Sequence, residues 1–132
     1  MGFSEVQHTA DWALNVWGSS IAELFSEAAR GTYHLMSVEK LEMACKPFTF
    51  KSTKGDKEIQ LVSFLQELIY LLEEKKAVYE RFEFHFSPGS CRAMLYGRKC
   101  KSMVKMIKAV TFHNLLINQE ETGFRVEIVF DV

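Results

Sequence analysis

At 132 residues, with 48% hydrophobic side chains and 11 phenylalanines, the chain has the length of one domain (1–132) and enough apolar surface for a core of its own, which excludes disorder. A formal net charge of -1 argues against a duplex-binding surface spread over the whole molecule. Three cysteines, Cys45, Cys91 and Cys100, are odd in number and form no C-x-x-C, so a disulfide framework and a zinc ribbon are both excluded, and reduced thiols in a cytoplasm are expected.

The first residues, MGFSEVQHTADW, carry an acid and a histidine and have neither the apolar run of a signal peptide nor the pattern of a myristoylation site. No stretch approaches the roughly 20 apolar residues of a membrane span. WALNVW (12–17) alternates, with Trp12, Leu14 and Val16 on one face, and reads as a strand ended by Gly18. Ser20 and Glu23 have the spacing of a capping box, and Ile21, Leu24, Phe25, Ala28, Leu35 and Met36 recur with helical period, which predicts a first helix to about Met36.

Phe48 and Phe50 flank Thr49 in a further strand, and STKGDK (52–57) is a turn whose Asp56 can cap the next helix. That helix shows a wide apolar stripe, Leu61, Phe64, Leu65, Leu68, Leu71 and Leu72, and ends in the polar run 73–76. FEFHF (82–86) alternates with its three phenylalanines inward, SPGS (87–90) turns, and CRAMLYG (91–97) pairs back as a hairpin. IKAVTFHNLLIN (107–118) and FRVEIVFDV (124–132) bracket a turn at Gly123. About six strands and two helices, with hairpins dominating the second half, predict an α+β fold: a mainly antiparallel sheet with two amphipathic helices on one face.

Asp11 precedes the first of these strands and Asp131 lies at the end of the last. If those strands are antiparallel neighbours, Asp11, Asp131 and the terminal carboxylate of Val132 converge. Two unit charges about 4 Å apart repel by about 4 kcal/mol at an effective dielectric near 20. Such a cluster must take up a proton or recruit a cation, and oxygen donors favour calcium, magnesium or manganese over zinc. A turn residue and a solvated terminal acid remain the plainer alternative.

His8 and His113 each lie near a strand end and are candidates for the same corner, as ligands, acid–base groups or hydrogen-bonded structural residues. No nucleophile elbow, Walker loop or dinucleotide fingerprint occurs. Arg98, Lys99, Lys101, Lys105 and Lys108 make a local basic patch, read either as a solvated loop or as a contact for phosphates or an acidic protein surface.

Four stretches together resemble the archease family: HTAD (8–11), FLQELIYL (64–71), IKAVTFHNL (107–115) and the ending FDV. They run from end to end of the chain in the family's order. The resemblance implies an accessory protein and no self-sufficient catalyst, one that assists an RtcB-type tRNA-splicing ligase by promoting its guanylylation and repeated turnover. It implies a metal site built from Asp11, Asp131 and Val132, with calcium the foremost ion. It also matches Asp56 to a family acid and Lys108 to a family lysine, while a helix N-cap is the other reading of Asp56. Two departures stand out: HTADWALN replaces the more usual HTADIG, and the stretch between Gly97 and Lys108 is short and lacks a histidine often found there. Two other classes are kept in view: a chaperone-like modulator of an RNA-modifying enzyme, and an independent metal-dependent hydrolase.

Overall fold

The computed structural model describes residues 1–7, 12–52 and 55–132. The HTAD stretch, with His8 and Asp11, and part of the 52–57 turn lie outside the described residues. The fold is α+β, with two helices and antiparallel pairing throughout the described ladders. The strands make two sheets and not the single sheet expected. The first contains β1 (Gly2–Gln7), β2 (Trp12–Gly18), β7 (Ala109–Val110), β8 (Asn118–Glu120) and β9 (Gly123–Asp131). Its order is β1-β2-β9-β7, with β8 also on β9. The second contains β3 (Glu39–Ala44), β4 (Phe48–Ser52), β5 (Ala77–Ser87) and β6 (Ser90–Ser102), with β6 between β5 and the pair β3 and β4.

The surplus over six strands comes from segments whose burial does not alternate. All six residues of β3 are exposed, so its sequence carries no period-2 signal. The expected strand over 107–118 is reduced to Ala109–Val110, followed by a turn and the separate β8. Exposed Phe112 and Leu116 there gave an apolar run that does not enter the core.

The helices follow their sequence signals closely. α1 (Ile21–Leu35) starts at Ser20, whose hydroxyl accepts the Glu23 N–H at 3.1 Å, and Glu23 returns a carboxylate to the Ser19 N–H at 2.7 Å. This capping satisfies N–H groups that have no partner within the helix. α2 (Lys57–Lys75) starts at Asp56, whose Oδ1 accepts the Ile59 N–H at 3.0 Å, and ends at Lys76 in the left-handed conformation.

α1 packs on β1, β2 and β9 of the first sheet and on β5 of the second, while α2 lies on β4, β5, β6 and β7. Both sheets therefore share one core. Phe64 is fully buried and its ring meets those of Phe25, Phe50, Phe82 and Phe84 at centroid distances of 5.3 to 5.8 Å. The inward faces of Leu14, Val16, Val126, Ile128 and Phe130 complete it from the first sheet. Among the described residues no helix is long and apolar enough to cross a membrane.

Candidate functional site

The β2/β9 ladder places the last strand beside β2. Gly18 stands opposite Phe124, and the register runs without interruption to Trp12 opposite Phe130. On its other edge β9 pairs with β7, Ala109 opposite Asp131. The Lys108 N–H donates to the Asp131 carbonyl at 2.8 Å and the Thr111 N–H to the Val129 carbonyl at 2.9 Å. The last residues of the chain are thus gripped by backbone from the 107–111 segment.

Alternation along β9 directs Phe124, Val126, Ile128 and Phe130 inward and leaves Asp131 on the opposite, exposed side. Val132 is 37% exposed. Asp131 and Val132 are therefore both available to solvent. Among the described residues Asp131 makes no ion pair. Lys105 Nζ sits 4.1 Å from the Trp12 ring centroid, a cation–π contact at the start of β2.

Of the three candidate cation ligands, Asp131 and Val132 lie at this corner and Asp11 lies outside the described residues, as does His8. Among the described residues no group of three histidine, cysteine or acidic side chains comes together. The donors present are anionic oxygens, which suit a hard cation. The cysteines lie elsewhere, Cys91 and Cys100 in β6 and Cys45 just after β3, and all three are free thiols.

The remaining candidates separate. His113 is exposed on the turn after β7; its N–H donates to Thr111 Oγ1 at 3.3 Å and its Nε2 lies 3.2 Å from Asn114 Nδ2. Asn114 holds φ at +52°, which shapes that turn. Lys108 is exposed, beside Asp131 through its backbone. Asp56 caps α2, and one turn on, Glu58 Oε2 accepts the Ile117 N–H at 2.8 Å. Gln66 Oε1 accepts the Val110 N–H at 3.1 Å. These two contacts, invisible to motif reading because each joins residues more than 40 positions apart, anchor the 107–117 segment to α2.

The basic patch at 98–108 divides between the end of β6 and the exposed segment that follows it. β6 extends to Ser102, and Arg98 and Lys101 within it face carboxylates. Arg98 Nε lies 3.2 Å from Glu80 Oε1, without the alignment of a hydrogen bond, and Arg98 Nη1 lies 3.4 Å from Glu42. Lys40 reaches Glu80 at 2.8 Å and Lys101 approaches Glu39 at 3.9 Å. Hydrogen bonding and charge from Lys40, then from Arg98, hold the Glu80 carboxyl below its usual range against the opposing effect of burial.

A two-helix α+β protein in which the last strand lies beside β2, with an exposed acidic side chain at that strand's end, is the class these features define. The chain belongs to the archease protein family, whose model matches residues 3–132. Protein archease of Archaeoglobus fulgidus is 29% identical over 138 residues, covering 100% of both chains. Protein archease of Methanosarcina mazei is 28% identical over 140 residues, covering 98% of this chain and 95% of the relative. In fold, the chain is similar to the crystal structure of an archease, described as a possible chaperone, from Thermotoga maritima (TM-score 0.73, 20% identity, 98% and 96% of the two chains). It is also similar to the solution structure of protein 1598 from Methanobacterium thermoautotrophicum (TM-score 0.75, 19% identity, 99% of each).

Proposed function

We propose that this protein is an accessory activator of an RtcB-type RNA ligase, promoting guanylylation and repeated turnover through a cation held by Asp11, Asp131 and the Val132 carboxylate. The observation that carries the reading is the uninterrupted β2/β9 register ending at Trp12 and Phe130, next to Asp131. Membership of the archease family supports an accessory protein with a partner, and the ligase is our reading of that partner.

Within this reading the chain's own residues have separable roles. Asp131 and Val132 offer anionic oxygens on an exposed strand end. The Lys108 N–H and the β7 pairing fix the backbone that carries them. Trp12 holds the Lys105 ammonium over its ring, which restrains it from competing for the carboxylates. When bound, calcium, magnesium or manganese would supply a hard positive centre for oxygen groups of the partner. Lys108 and His113, exposed on the adjoining segment, are placed to meet that partner.

The test is multiple-turnover ligation by the cognate ligase with Asp11→Ala and Asp131→Asn proteins whose thermal melts match the parent. Loss of stimulation is expected; undiminished stimulation rejects the site. Cleavage of RNA or phosphoesters by the protein with no ligase present would favour the hydrolase class instead.

A chaperone-like role has one observation in its favour: Val104, Met106, Phe112 and Leu116 are all more than half exposed on one short segment. Under that reading, polar substitution of these four abolishes the effect on the ligase, while Asp131→Asn is silent.

A further inference from the structure

Lys40, Arg81, Arg98 and Lys101 of the second sheet are paired with glutamates, whereas the ammonium groups of Lys46, just after β3, Lys75, at the end of α2, and Lys99, in β6, are not. All three line a cavity of about 360 Å³ beside the last turns of α2. Its floor is apolar, formed by Leu71, Ala77 and the ring of Tyr79, with Phe48 at one wall. Among the described residues no carboxylate lines it, and none of the three side-chain ammonium groups has an ion-pair or hydrogen-bond partner. Glu67, whose charge is felt at Tyr79, is not among the lining side chains.

The arrangement is built by the fold. Cys91, Ala93 and Leu95 form the inward row of β6, and Gly97 and Lys99 continue it by alternation. The row outruns α2, so Lys99, opposite Ala77, is half-buried at the edge of the core with its stem on apolar surface. Lys46 is positioned through its backbone: the Tyr79 hydroxyl donates to the Lys46 carbonyl at 3.3 Å, and the Cys45 N–H donates to the Gly97 carbonyl at 3.1 Å. Lys75 ends α2. The helix C-terminus contributes roughly half a negative charge. Its carbonyls at Leu71 and Leu72 accept the Lys76 N–H, and three ammonium groups outweigh it.

Clustered like charges with no counterion repel, and an anion relieves that repulsion. A bare anion would leave the apolar floor unused. We propose that this cavity binds a nucleotide unit, free or at the end of an RNA strand, with Lys46, Lys75 and Lys99 on the phosphoryl oxygens and the base against Phe48 and the apolar floor. The volume lies in the range of small-ligand pockets. The site is distinct from the acidic corner and needs neither the ligase nor a divalent ion.

The experiment is calorimetric titration of the full chain, without ligase or divalent ions, with adenosine 5′-monophosphate, adenosine, inorganic phosphate and a short single-stranded RNA. The mononucleotide is expected to bind at least tenfold more tightly than adenosine or phosphate, with affinity falling as salt rises. Lys46→Ala, Lys75→Ala and Lys99→Ala each should weaken it about tenfold, as loss of a charge-assisted contact does, and the corresponding Lys→Arg proteins should retain most of it. Thermal melts that match the parent confirm that folding is intact in each variant. Tighter binding of RNA than of the mononucleotide assigns the site to a strand end; equal binding assigns it to a free nucleotide. Absence of binding by the mononucleotide and the RNA alike, or binding that survives the triple alanine substitution, overturns the proposal whatever the outcome of the ligation assays.

Discussion

Trp12 stands opposite Phe130 in the β2/β9 ladder, one residue before Asp131 and two before the end of the chain. That pairing fixes the backbone that leads to Asp131 and Val132. Extending the chain by Gly-Ser after Val132 converts the carboxylate to a peptide bond while leaving the Trp12–Phe130 pair in place. Affinity for calcium or terbium should fall by about tenfold or more, because ligand charge sets affinity at oxygen sites. The check is luminescence titration, with Trp12 as sensitiser, and a thermal melt that stays at the parental value. Equal affinity in the extended protein would remove the terminus from the site.

Gly97 sits where β5 bulges between Tyr79 and Arg81. A Cβ there would lie 1.9 Å from the Val78 carbonyl oxygen and 2.6 Å from the Tyr79 Cα, both backbone atoms that cannot rotate away. Gly97→Ala should therefore destabilise by about 3 kcal/mol or more, at the upper end of overpacking costs. Gly89, in the Pro88–Gly89 turn, has no neighbour within 4 Å but holds φ at +73°. Gly89→Ala should cost only about 1 to 2 kcal/mol of backbone strain. Urea denaturation of the two variants separates close approach from conformational strain.

Phe64 is the point at which α2, β4, β5 and α1 meet through aromatic rings. Phe64→Ala should cost about 3 to 5 kcal/mol, the usual range for a fully buried ring. Phe64→Leu should cost less, since most of the volume is kept. Differential calorimetry reads both.

Burial raises the Cys91 thiol to about 11 and the Tyr79 hydroxyl to about 12, and raises Cys100 as well. These groups are neutral when protonated, so in the alkaline range the unfolded chain loses its protons first. Their contribution to stability is complete below the unfolded values of 9.0 and 10.0 and declines as pH rises towards the folded values. Denaturation midpoints should be level from pH 7 to 9 and fall above it. Cys91→Ala/Cys100→Ala should delay the onset to about pH 10, where tyrosine begins to titrate. On the acid side the lowered Glu80 carboxyl predicts stability that is present above 4.5 and lost as pH falls below it.

Local order was readable where burial imposes a period. Ser20, Glu23 and Asp56 mark helix starts because a side-chain oxygen three residues from an unpaired N–H closes a short loop, and no distant partner is required. The alternation of β2, of β9 and of Phe82, Phe84 and Phe86 is equally local, since opposite faces meet opposite solvents. The acids at 11 and 131 could be singled out by the same logic, from their places at the ends of two strands.

Tertiary structure decided the rest. The all-exposed β3 has no pattern to read, and the apolar residues of 107–118 divide between the core and solvent according to the hold of Glu58 and Gln66 from α2. Whether a lysine is matched by a glutamate or left beside a cavity depends on strands far apart in sequence, which is why Arg98 and Lys99, adjacent in the chain, have opposite electrostatic surroundings. Sequence determined which segments form helices and strands because those choices are made over a few residues. Long-range pairing determined which charges face each other, because that is fixed only when the sheets close around the shared core.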